Sequence, residues 1–286
     1  MLKIPVSLAV LTVVLTALTG CKSGNSPGDL YTYNGNTQPA TLSSTAIANV
    51  YINHYSAANY SLTASDLTGT RSAINLSAQT RTPSIRAARP VNDTYSGTCE
   101  GYIDYNGSYD NQIDYIDVLA TASNYCEYDE VYNGYLFIEG YGYDLELGFD
   151  NFNYRDDYYG TSFTLNGSLR IEDGYPLSLS TSNVVIQDNR LNQTTLLRNW
   201  REWIDHSQYP ETLQLSGELY DDTWGYVLVD TLERLVMGDY DQYESGTIRL
   251  LGDRSTAWVT FFGSGYLIEV DANNDSFIDE DDLFSY

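Results

Sequence analysis

Oxygen-bearing side chains near the C-terminus have the spacing of a cation-binding loop. Asp271, Asn273, Asp275, Asp279 and Asp282 occupy positions one, three, five, nine and twelve of a twelve-residue segment. Calcium takes about six to eight oxygen ligands, and a tight loop directs alternate side chains toward its centre. Without a cation, these clustered carboxylates would repel one another. The segment therefore predicts a weak Ca²⁺ site.

This segment resembles the calcium loop of EF-hand and dockerin modules. The resemblance makes the backbone carbonyl of Phe277 a further ligand and Ile278 an apolar residue that faces the core. Ser276 stands where the family has Gly, and Asp282 stands where it has Glu. Residues 266–270 before the loop are typical of a strand, not a helix. We therefore expect a strand–loop–turn variant, and the alternative is an acidic surface turn without metal.

The N-terminus has the order of residues found in an exported protein. Lys3 precedes an apolar run over residues 4–18. The run is too short to span a bilayer, which takes about 20 apolar residues, but it fits the apolar region of a secretory signal. Residues 18–21 read Leu-Thr-Gly-Cys and resemble the lipobox of bacterial lipoproteins. The alternative is a standard signal peptide with an incidental cysteine.

The lipobox resemblance implies how the chain is processed and where it resides. Residues 1–20 would be removed and the thiol of Cys21 would be diacylated, so the partner at this end is a membrane. Residues 21–37 are then a flexible tether, since residues 22–28 are rich in Ser and Gly. Lys22 after the modified cysteine favours the outer membrane by resemblance to Gram-negative sorting rules.

Two further cysteines remain in the exported part of the chain. Cys99 and Cys126 would meet an oxidising compartment, where leftover thiols form disulfides. The alternative is a pair of buried free thiols. Neither has a His nearby in sequence, so we expect no catalytic role for them.

The net charge of −25 limits the partners of this protein. Only Asp29 and Asp66 precede Pro90, so the acidic residues belong to the second part of the chain. Such a domain repels nucleic acid and anionic lipid head groups, and we expect it to bind neither. A divalent cation, a basic partner or solubility alone is consistent with the charge.

Other chemistry is poorly represented in the sequence. His54 and His206 are isolated, which excludes a zinc site of the usual spacing. Pairs of acids such as Glu127 and Asp129 are numerous, and a glycosidase needs only two carboxylates at the right separation. With so many acids, the sequence selects no such pair, and we predict no catalytic residue.

The composition changes near Pro90. Residues 38–90 are rich in Ala, Ser and Thr, with a part, residues 45–52, that fits a helix or a strand. Residues 91–286 are acidic and rich in Tyr, and they alternate as strands do. We predict a mainly β fold: a large twisted antiparallel meander, sandwich-like or open-barrel-like, preceded by a small irregular or helical segment.

Glycines after polar residues punctuate the β region. Asn106-Gly107, Asn133-Gly134, Asn166-Gly167 and Asp173-Gly174 predict tight hairpin turns. A polar residue, a Gly and a short alternating strand also recur from 133, 166, 216 and 245, which indicates a β unit with variable insertions. Residues 196–204 fit a helix or a strand equally well.

The order of these features resembles that of uncharacterised β-rich lipoproteins of Gram-negative bacteria. The features are Cys99-Glu100-Gly101, Cys126, the Asn-Gly strands, residues 224–231, residues 245–248 and the final strand with its Asp-rich turn. The resemblance supports the β fold and the disulfide and brings no known activity.

These observations predict a lipid-anchored cell-envelope protein with a non-enzymatic binding or structural role, stabilised by Ca²⁺ where the loop binds it. One alternative is a carrier that encloses an apolar ligand in a curved sheet. Another is a carbohydrate-binding or carbohydrate-active protein, with Tyr and Trp stacking on sugar rings.

Overall fold

The chain folds around one antiparallel sheet in the computed structural model, which describes residues 33–64, 89–110, 112–142, 144–158, 160–172, 174–238 and 242–285. The predicted signal peptide, Cys21, most of the tether and the linker after residue 64 lie outside these residues. Each strand pairs with the next one along the chain, and β1 and β14 form the two edges. The predicted mainly β antiparallel meander is confirmed, and it is a single open sheet rather than two packed sheets.

The elements have the following bounds. They are helix α1 (Thr45–Ala64) and strands β1 (Arg89–Ser96), β2 (Tyr102–Asp110), β3 (Tyr115–Glu127), β4 (Glu130–Tyr141), β5 (Asp144–Asp156), β6 (Thr161–Glu172), β7 (Leu177–Asp188), β8 (Gln193–Asp205), β9 (Thr212–Asp221), β10 (Gly225–Met237), β11 (Tyr243–Leu251), β12 (Thr256–Phe262), β13 (Gly265–Asp271) and β14 (Glu280–Ser285).

Helix α1 resolves the first ambiguity of the sequence. The Ser44 hydroxyl accepts a hydrogen bond from the N–H of Ile47 at 3.4 Å, as an N-cap residue does. Ala48, Tyr51 and Tyr55 follow at helical spacing and are buried on one face. No helix in the described part of the chain is long and apolar enough to cross a membrane.

The sheet buries one of its two faces. In β3 the side chains of Ile116, Val118 and Ala120 are buried, while those between them are more exposed. Helix α1 packs on this face and contacts β9, β13 and β14. Because three strands lie between β9 and β13 in the sheet order, the sheet must curve around the helix to reach it from both sides.

The curvature coincides with β-bulges that repeat across the sheet. Asn124, Asn151 and Asn199 have positive φ and lie at register shifts of β3, β5 and β8. Each donates its backbone N–H to the side-chain oxygen of an Asn on a neighbouring strand, at 2.6 to 2.8 Å. Bulges of this kind bend and twist a strand.

Most of the predicted hairpin turns at Asn-Gly pairs are wrong. Gly107, Gly134 and Gly167 lie inside β2, β4 and β6, and of the glycines predicted to form turns Gly174 lies between strands in the described structure. A Cβ on Gly134 would lie 2.2 Å from the carbonyl oxygen of Asn151. Gly134 and Gly167 therefore mark places where a bulge of the neighbouring strand approaches, whereas Gly107 lies against Asp117 and Val118 of β3, where the pairing is regular.

Candidate functional site

An open polar groove of about 590 Å³ lies on the outer face of the sheet. Its floor is formed by β6, β7 and β8, and its sides by residues 33–35 and by the turns after β7 and β9. Its lining includes the carboxamides of Asn34, Asn166, Gln187, Asn192 and Gln193 together with the carboxylate of Asp222. Ligand sites in proteins commonly have volumes of roughly 300–1,000 Å³.

The strand pattern directs Gln187 into this groove. Val184 and Ile186 of β7 are buried on the inner face, so Val185 and Gln187 point outward. Gln187 pairs with Thr164 of β6 and Thr194 of β8, which places it in the middle of the groove floor.

The N-terminal arm, defined as residues 33–39, forms one wall of the groove. The N–H of Asn36 donates to the carbonyl of Asp222 at 3.0 Å, and its side chain donates to the carbonyl of Thr223 at 3.1 Å. The Tyr33 ring packs edge-on against Tyr220, with 5.5 Å between the ring centroids. These contacts hold the arm against the turn between β9 and β10.

The polar groups of the groove differ in how far the protein satisfies them. Both carboxylate oxygens of Asp222 accept hydrogen bonds, one from the N–H of Thr194 at 3.0 Å and one from the hydroxyl of Thr223 at 3.1 Å. Within the described residues, the carboxamides of Gln187 and Gln193 have no hydrogen-bond partner. They are therefore available to a ligand.

Tyr33 brings a second kind of unsatisfied group. Its hydroxyl is buried and has no hydrogen-bond partner within the part of the chain that the structure describes. Burial, and then the charges of Asp222 and Asp221, raise the pKa of the Tyr33 phenol, so the hydroxyl keeps its proton. The hydroxyl is therefore a hydrogen-bond donor without an acceptor. Leaving a buried donor unpaired costs free energy.

A second group of polar residues lies buried between α1 and the inner face of the sheet. His54 Nε2 is 2.6 Å from Asp221 Oδ2, and His54 Nδ1 is 2.8 Å from the hydroxyl of Thr195. An Asp–His–hydroxyl chain can activate a nucleophile. Here all three residues are between 3% and 7% exposed, so a substrate cannot reach the hydroxyl. The three residues join α1 to β8 and β9.

The predicted calcium loop follows β13 directly. The carboxylate of Asp271 accepts hydrogen bonds from the backbone N–H groups of Asn273, Asp275 and Ser276 at 2.9 to 3.3 Å. Burial opposes the ionisation of Asp271, but these N–H groups outweigh it and lower its pKa. Ser276 has a φ of 72°, the left-handed conformation for which the family uses Gly.

The remaining predicted ligands do not converge on one point. Asp279 accepts the N–H of Ala272 at 2.8 Å, and Asp282 lies in β14 opposite Ile268. Among the described residues, no three His, Cys, Asp or Glu side chains are arranged to hold a metal ion. Calcium binding thus stays a prediction and requires the loop to rearrange.

The exposure of two apolar residues in the loop also differs from what the calcium-loop resemblance implies. Ile278 is 46% exposed and Phe277 is 75% exposed. The expected core-facing position of Ile278 is wrong, since the loop connects the paired strands β13 and β14 at the edge of the sheet and leaves the Ile278 side chain partly in solvent.

The predicted disulfide between Cys99 and Cys126 is confirmed. It joins the turn after β1 to the end of β3, and the N–H of Cys126 donates to the carbonyl of Glu100 at 3.0 Å beside it. The bond reinforces the outermost strands of the sheet at one end.

The sequence did not indicate the groove or the buried group around His54. Their residues come from positions up to about 190 apart and from types that are common on any surface. One available signal was the Asn-Gly pair at 166–167, which marks a strand of the groove floor.

No protein-family model, no curated protein and no solved structure matches the chain.

Proposed function

We propose that this chain is a lipid-anchored protein of the bacterial cell envelope that binds a ligand and catalyses no reaction. The binding role is carried by the outer groove, where unsatisfied carboxamides such as that of Gln187 face solvent. The described lining of the groove contains neither histidine nor cysteine. Its groups recognise by hydrogen bonding rather than by proton transfer.

The alternative of an apolar-ligand carrier is disfavoured by the position of α1. The helix packs on the inner face against β9 and β13 and buries Tyr51 and Tyr55 there. A carrier would need this space for its ligand. The aliphatic lining of the outer groove is limited to Val185 within the described residues.

The anchor and the groove are close along the chain. The arm residue Tyr33 is 12 positions after Cys21 (33 − 21 = 12). A fully extended chain spans at most about 3.6 Å per residue, so the groove lies within about 43 Å of a lipid on Cys21. A protein so tethered would meet ligands at or near the membrane surface.

Fatty-acid labelling tests the anchor. The full chain, produced in a Gram-negative host with an alkyne fatty acid, should carry the label on an N-terminal peptide that begins at Cys21. The Cys21→Ser variant should carry none. An unlabelled wild-type protein, or one that keeps residues 1–20, would contradict anchoring.

Incubation with isolated envelope material tests the non-enzymatic role. The wild-type chain should release no new fragments, as judged by mass spectrometry of the supernatant. Time-dependent release of fragments would contradict a purely binding role and would leave the lipid-labelling result unaffected.

A further inference from the structure

Resting on the binding role proposed above, we propose that the outer groove binds a neutral carbohydrate. Within the described residues, the side-chain amides of Asn34, Gln187, Asn192 and Gln193 have no protein partner. Each carboxamide offers two N–H donors and a carbonyl acceptor. It can donate to one hydroxyl and accept from another, and sugar rings present hydroxyls on several sides.

The charges around the groove exclude an anionic ligand. The described lining contains no lysine or arginine that could pair with a carboxylate, sulfate or phosphate. The chain carries a net charge of −25, which repels anions at long range. The acidic side chain of the lining, Asp222, already has both oxygens engaged with Thr194 and Thr223.

The groove also lacks the features by which proteins bind peptides. Peptides commonly add a strand to a free sheet edge or place side chains in apolar pockets. The backbone of β7 at the groove floor is paired on both sides, with β6 and with β8, so it offers no edge. Val185 provides little apolar surface beside the carboxamides.

An oligosaccharide array tests this assignment. The full-length chain, purified in detergent, is applied to neutral and anionic oligosaccharides and to a peptide array, and the affinity of the strongest binder is measured by calorimetry. We expect a neutral oligosaccharide to bind. Gln187→Ala and Gln193→Ala should each weaken that binding roughly two- to tenfold, since a hydrogen bond of ordinary strength is lost.

The matched control removes an equivalent carboxamide elsewhere. Gln112 is exposed in the turn before β3 and is not part of the groove, so Gln112→Ala should leave the affinity unchanged. Thermal unfolding should be the same for all three variants.

Tyr135, 44% exposed on the outer face of β4, offers an aromatic surface on which a sugar could bind instead of in the groove.

Four results would overturn the assignment. They are binding of no oligosaccharide, binding of anionic ones alone, a peptide ligand that depends on Gln187, and sugar binding that Tyr135→Ala abolishes while Gln187→Ala leaves it intact. The lipid label on Cys21 is measured separately, so these results would leave the anchor proposal standing.

Discussion

His54 Nε2 lies 2.6 Å from Asp221 Oδ2, although 167 residues separate the two in the chain. Both side chains are buried, and the hydroxyl of Thr195 contacts the other ring nitrogen at 2.8 Å. The contact links the helix on the inner face to two adjacent strands of the sheet. Its position suggests that it fixes the docking of α1.

Removing the imidazole should destabilise the protein strongly. His54→Ala removes one of the hydrogen bonds of the buried Asp221 carboxylate, and the loss of a hydrogen bond to a buried charged group costs roughly 1.5–3 kcal/mol. We expect the free energy of unfolding in a urea titration to fall by about that amount. His206→Ala is the control, because its contact with Glu211 is 2.8 Å but partly exposed, where pairs contribute about 0–1 kcal/mol. Equal losses would contradict the role of His54.

The carboxylate of Asp221 should make the free energy of unfolding depend on pH in the acidic range. Burial opposes its ionisation, but the hydrogen bond with His54 and those from the N–H groups of Trp224 and Thr223 outweigh burial and lower its pKa. A lowered folded-state pKa gives stability that is present above the unfolded value of about 3.9 and lost as the pH falls through the folded value. Asp221→Asn should therefore be less stable than wild type at neutral pH, and the difference should shrink as the pH falls below about 4 toward the folded-state pKa. Stability curves that stay parallel over this range would exclude this linkage.

The strands were predictable because their pattern is local. In β3 every second side chain from Ile116 to Ala122 is apolar or small and buried, and alternation reads directly from the sequence. The segment 196–204 was ambiguous because Leu196, Trp200 and Trp203 suit a helical face. It is part of β8, where the bulge at Asn199 shifts the alternation and imitates a helical period.

The turns and the groove were not predictable for a different reason. Gly134 and Gly167 follow Asn as turn glycines do, but they have positive φ because bulges on the neighbouring strands approach them closely. Nothing next to them in sequence reveals the neighbour. The groove likewise combines Asn34 with Gln187 because the arm packs against the turn after β9, which is a contact between residues far apart in sequence.

The glycine inside β4 should resist replacement. Gly134 has a φ of 100°, and a Cβ would lie 2.2 Å from the Asn151 carbonyl oxygen. Gly134→Ala should lower the free energy of unfolding by at least about 1–3 kcal/mol, the usual cost of a strained backbone. Gly263→Ala is the control, because a Cβ at Gly263 meets nothing within 4 Å. A neutral Gly134→Ala in thermal unfolding would show that the strand can relax at this site.

Reduction should weaken the end of the sheet near β1 to β3. The Cys99–Cys126 bond closes a loop with a sequence separation of 27 residues. Cross-links of this length contribute about 3 kcal/mol in the chain-entropy model. We expect dithiothreitol to lower the free energy of unfolding by about that amount, and the Cys99→Ser/Cys126→Ser double variant to be weakened equally and to be insensitive to dithiothreitol. A wild type that is indifferent to reduction would contradict a stabilising bond.

The loop after β13 should bind calcium weakly at most. Asp279 accepts the N–H of Ala272, and the carboxylate of Asp271 accepts several N–H groups of its own loop, so a cation must compete with bonds already made. Calorimetric titration should show a dissociation constant no tighter than about 10⁻⁴–10⁻³ M, the range of extracellular modules. Asp279→Ala should abolish the heat, while Asp253→Ala, an acidic change outside the loop, should preserve it. The absence of heat at millimolar calcium would remove the site, and tight binding would show that the carboxylates were preorganised for the ion.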